Sequence, residues 1–147
     1  KESPRAPVRP GRFGAALSRR PPAPMILADT SVWADHLQQT EHGLVALLNE
    51  GSVLIHPFVI EELACGNLPQ RKETLDLLHA LPMAPVAERK EVLDLIYSER
   101  LHGTGLGSVD AHLIASARLA GAKVWSKDKA LCREAKRLNV IGGEKPV

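Results

Sequence analysis

Four acidic residues stand where apolar runs give way to helical patterns, or within the helices that follow. They are Asp29 in "ILADTS" (26–31), Glu62 in "FVIEELACG" (58–66), Asp110 in "SVDAHLIASA" (108–117) and Asp128 in "VWSKDKAL" (124–131). Singly, each has a structural explanation. A carboxylate in the first turn of a helix gains ~0.3–1 kcal/mol from the positive helix end. Glu62, among Val59, Ile60, Leu63 and Ala64, requires a polar partner. Together they carry a different implication, because four like charges drawn to one cleft repel unless they are protonated or bridged by cations. Hard oxygen ligands suit Mg²⁺, with Mn²⁺ as the alternative, and leave coordination positions for phosphate oxygens. The chemistry open to such a cluster is metal-assisted phosphodiester hydrolysis, in which one ion activates water and a second stabilises the departing oxygen.

That reading requires elements that bring distant residues to one edge. Short apolar runs alternate with helical patterns from Met25 onward, which predicts an α/β domain with a mainly parallel sheet and crossover helices. "MILA" (25–28), "SVLIHP" (52–57) and "KVWS" (123–126) read as strands, "MAPVA" (83–87) as a short edge strand, and "VIGG" (140–143) as a closing one. Helices are predicted over "SVWADHLQ", with Thr30 or Ser31 as N-cap, over "GLVALLNEG" ending at Gly51, and over "FVIEELACG" opened by Pro57. Further helices cover "RKETLDLLHAL", "EVLDLIYSERLH", "SVDAHLIASARLAG" and "DKALCREAKRLN". In a parallel sheet, ligands bind beyond the carboxyl ends of the strands, and Asp29 and Asp128 both follow such ends.

Charge distribution supports cations over a basic groove. The chain of 147 residues has a net charge of +2, yet residues 1–24 alone contribute +5, leaving residues 25–147 at −3. An acidic domain that handles a polyanion needs bound cations to do so. Residues 1–24 hold six of the eleven prolines, lack hydrophobic periodicity and are read as a disordered basic Pro/Arg-rich extension. Residues 25–147 form the single domain, and Met25 is a plausible natural start. No apolar stretch is long enough to span a bilayer, so a soluble cytoplasmic protein is expected, with Cys65 and Cys132 as small buried hydrophobes.

In order and separation, "MILADTSVW", "VIEELACG", "SVDAHLIASA" and "VWSKDKAL" resemble the four acidic motifs of the PIN domain, specifically of VapC-type ribonuclease toxins. The similarity spans about residues 25–141. It implies a three-layer α/β/α fold with a four- to five-stranded sheet and a Mg²⁺-dependent endoribonuclease. Asp29 and Asp110 would be the main metal ligands, with Glu62, rather than Glu61, and Asp128 completing the pocket. Thr30, Ser31 and Ser126 would supply hydroxyls around them. It further implies an RNA substrate cut to a 5′-phosphate and a 3′-hydroxyl, a homodimer, and a VapB-type antitoxin as partner. Two rivals are a phosphatase or phosphoacceptor domain with Asp29 as nucleophile, and a non-catalytic module that binds RNA or protein. Against the first, Ser31 stands where a second aspartate would be needed. "GTGLGS" (103–108) lacks a preceding strand and reads as a connection, Trp33 and Trp125 as core, and His112 as structural. Lys127 and Lys129 either hold substrate phosphates or balance nearby acids.

Overall fold

A computed structural model describes residues 23–143. The expected extension over residues 1–24 therefore falls almost wholly outside the described residues.

Three parallel strands form the centre: β1 (Ile26–Ala28), β2 (Val53–Leu54) and β3 (Lys123–Trp125), in the order β2-β1-β3. Ile26 pairs with Val53 and Lys123, and Ala28 with Trp125. All three residues of β1 are buried, so both faces of the strand are covered, as a central strand between two helical layers requires. Isolated parallel bridges flank this core, Ile55 with Met83 and Val124 with Ile141. They lie where the fourth and fifth strands were expected. Proline on either side of Met83 and glycines after Ile141 keep these pairings to single bridges.

Among the described residues, seven helices connect and cover the strands: α1 (Thr30–Gln38), α2 (His42–Asn49), α3 (Pro57–Ala64), α4 (Arg71–His79), α5 (Arg89–Ser98), α6 (Ser108–Ala120) and α7 (Lys129–Arg137). Pro57 occupies the first turn of α3, where its missing N–H costs nothing. α6 ends at Gly121, whose φ of 65° is the left-handed conformation that glycine adopts without penalty. Leu27, Val32, Leu44, Ile55, Leu113, Ile114 and Leu131 are fully buried and come from β1, from the residue after β2 and from α1, α2, α6 and α7, so one core joins the sheet to its helices. Trp33 and Trp125 belong to it, as expected. Cys65 corrects the expectation of buried thiols: it lies just past the end of α3 and is exposed, while Cys132 on α7 is partly buried.

Candidate active site

Asp29 marks the point where β1 stops pairing. Its amide still donates to the Trp125 carbonyl at 2.9 Å, and its side chain then turns to cap α1. The helix is therefore capped by Asp29 and not by Thr30 or Ser31, which already lie inside it. One carboxylate oxygen accepts from the Ser31 amide at 3.0 Å, the Val32 amide at 3.3 Å and the Ser31 hydroxyl at 2.5 Å. The other accepts from the Ser126 hydroxyl at 2.6 Å. Asp29 is only 5% exposed, and among the described residues it forms no ion pair, so four hydrogen bonds sustain a buried carboxylate with no cation beside it.

The two serines also tie β1 to the segment after β3. Ser31 Oγ accepts from the Lys127 amide at 2.9 Å, and Ser126 Oγ accepts from the Asp128 amide at 2.9 Å. Asp128 in turn caps α7 through a 2.9 Å bond from the Leu131 amide. Glu62 projects from α3, exposed, and accepts from the Thr30 hydroxyl at 2.5 Å, which supplies the polar partner its apolar neighbours required. Asp110 sits in the first turn of α6 and accepts from the Gly107 amide at 3.2 Å.

Electrostatics couple the four acids. Partial burial pushes the Asp110 carboxyl above its ordinary range, and the negative charges of Asp128, Asp29 and Glu62 push it the same way, against the Gly107 hydrogen bond. Asp29, Glu62 and Asp128 thus each lie within electrostatic reach of Asp110. Cys132 reports the same field: burial raises its thiol first, and Asp29 and Asp128 add to the effect. Among the described residues, however, no three acidic, imidazole or thiol side chains are already drawn into ion-holding geometry. Asp110 and Asp128 are turned onto backbone amides. The donor set fits a hard divalent ion in chemistry, being all carboxylate with hydroxyls behind it and, among the described residues, no basic side chain paired to it.

His112 points elsewhere. Its ring packs edge-on against Phe58, with centroids 4.8 Å apart, and faces His56 at 6.5 Å. Lys127 reaches away from the four acids, pairing with Asp35 at 3.1 Å and Glu41 at 2.5 Å. Sequence reasoning passed over His56, which is fully buried. Its Nδ1 accepts from the Phe58 amide at 3.0 Å and so caps α3, leaving Nε2 to donate to Ser116 on α6 at 3.1 Å. The signal was the "HP" pair opening a helix.

A model of the PIN domain family matches residues 26–137, a span that includes all four acids. The chain belongs to the PIN domain family. Over 108 residues this PIN domain is 50% identical to proteins named Ribonuclease VapC32 from two strains of Mycobacterium tuberculosis, CDC 1551 and H37Rv. The matched stretch covers 73% of this chain and 87% of each relative. Solved structures share the fold at low identity. A structure of FitAB bound to an IR36 DNA fragment superposes with a TM-score of 0.56 at 21% identity, covering 76% of this chain and 91% of that one. FitAcB from Neisseria gonorrhoeae gives 0.53 at 22% identity, covering 76% and 94%. PAE2754 from Pyrobaculum aerophilum gives 0.52 at 16%, covering 75% and 78%.

Proposed function

We propose that this PIN domain is a Mg²⁺-dependent endoribonuclease and the toxin of a VapBC-type toxin–antitoxin module, acting in the cytoplasm as a homodimer. The observation that carries the reading is the coupling of Asp110 to Asp29, Glu62 and Asp128, acids that form no ion pair among the described residues. Half-identity to a protein named a ribonuclease over most of both chains supports the same activity.

Asp29 and Asp110 would hold Mg²⁺, with Mn²⁺ as substitute, and Glu62 and Asp128 would complete the set. When bound, the ion supplies an activated water and neutralises charge on the phosphate. The chain's own residues do the rest. Ser31 and Ser126 hold Asp29 in one orientation with both oxygens engaged, so its charge stays in place without reorganisation. Thr30 holds Glu62 in the same manner. Asp110, its carboxyl raised by burial and by three neighbouring charges, would be relieved by a cation held there. Cleavage would leave a 5′-phosphate and a 3′-hydroxyl. A VapB-type antitoxin would silence the site by placing a basic side chain among the same carboxylates, since a guanidinium satisfies them as a metal would.

The test is RNA cutting by purified protein in Mg²⁺, in EDTA, and after Asp29→Asn. Activity that vanishes in the last two conditions is the expected result. Activity that survives either one overturns metal-assisted hydrolysis.

A further inference from the structure

A recess of about 240 Å³ opens beside the acids, between α1 and the segment that follows α3. Leu37 and Leu63 give it an apolar lining, and Gln38 and Asn67 bring amide side chains to it from different elements. Thr30 and Glu62 belong both to this recess and to the acid cluster, so the two are continuous. The wall formed by residues 66–69 is held in place. Arg71 donates to the carbonyls of Gly66 at 3.2 Å and Ala64 at 2.6 Å, and the Thr74 hydroxyl donates to the Pro69 carbonyl at 2.8 Å. A fixed wall lowers the ordering cost of binding. Neither Gln38 nor Asn67 forms a side-chain hydrogen bond among the described residues, so neither amide is spent on holding the fold.

We propose that this recess receives a nucleobase of single-stranded RNA next to the scissile phosphate, and that Gln38 and Asn67 read it. The inference rests on the ribonuclease reading above. A carboxamide offers a donor and an acceptor side by side, the complement of a base edge, while an unstacked base needs an apolar bed for its face. Among the described residues the lining contains no cation to hold a phosphate, and its only charge is Glu62 at the junction with the acids. The charged part of a nucleotide therefore belongs to the acid cluster and its uncharged base to the recess.

Two measurements on the full chain test this. The first compares wild type, Gln38→Ala and Asn67→Ala on RNA randomised around a mapped cleavage site. Both positions are exposed, so the variants keep the fold. Each should lose about tenfold of the preference at one flanking base, with KM rising and kcat little changed. The second titrates a 2′-O-methyl oligonucleotide pool of randomised sequence and follows the side-chain amide resonances of Gln38 and Asn67 by NMR, which are expected to shift. Shifted amides in a protein that does not cut RNA would support the recess while overturning the hydrolysis reading. Cutting with an unchanged base preference and unmoved amides would overturn the recess alone. Variants that keep the wild-type cleavage profile but lose inhibition by a cognate antitoxin would also overturn it, assigning the recess to protein.

Discussion

Acidification should weaken this fold through one buried ring, that of His56. Burial, reinforced by the nearby His112, lowers its pKa from 6.5 to about 4. A base whose folded pKa is depressed binds fewer protons when folded than when unfolded between those two values, so stability falls as pH falls through that window. The separation corresponds to about 3 kcal/mol at full protonation, and moving from pH 7 to pH 5 removes about 2 kcal/mol of it. The geometry explains the direction. A proton on Nδ1 would face the Phe58 amide, two donors meeting where a cap now exists, and loss of an N-cap alone costs roughly 0.5–2 kcal/mol. Urea denaturation of wild type and His56→Asn at several pH values between 7.5 and 5 isolates the effect. Asparagine can still cap α3 but does not titrate and does not reach Ser116. The variant should be less stable at pH 7.5 by about 1 kcal/mol, the value of one buried hydrogen bond. It should approach or overtake wild type at pH 5. Two curves that stay parallel across the range would refute the reasoning.

Asp29→Asn should abolish RNA cutting while changing stability by no more than about 1 kcal/mol, because the amide oxygen keeps the bonds from Ser31 and Val32; a thermal melt beside the cleavage assay checks both. Mg²⁺ at roughly 100 times its Kd should add about 2.7 kcal/mol to the unfolding free energy of wild type, reversibly with EDTA, and the gain should disappear in Asp110→Asn. Leu27→Ala, at a fully buried position in the middle strand, should cost about 3 kcal/mol or more by equilibrium denaturation, through lost burial and the cavity left behind.

Asp29, Asp110 and Asp128 stand out in the sequence because strand ends and helix starts leave local marks, whereas Glu62, the sixth residue of α3, stands out only by its apolar neighbours. The cap of α1 was misread because "DTS" offers three good caps in a row. The choice falls on Asp29 through its amide bond to Trp125, a residue 96 positions away that a local pattern does not contain. Cys65 was misplaced for a related reason. Its apolar neighbours in "FVIEELACG" suggested a buried face, but the helix ends at Ala64 and the chain turns the thiol outward. The recess at Gln38 and Asn67 left no mark at all, since polar residues at a helix end and in a loop are ordinary until two segments meet. Five strand-like runs were recognisable, while the reduction of two of them to single bridges depends on how prolines and glycines interrupt the ladder.

Asp29 is oriented by Ser126, and both the charge of Asp128 and the cap on α7 arrive only after it. During synthesis the first acid therefore emerges almost a hundred residues before the hydroxyl that aims it. The geometry around Asp29 is complete only after residues 126–128 have been made, late in the synthesis of the domain.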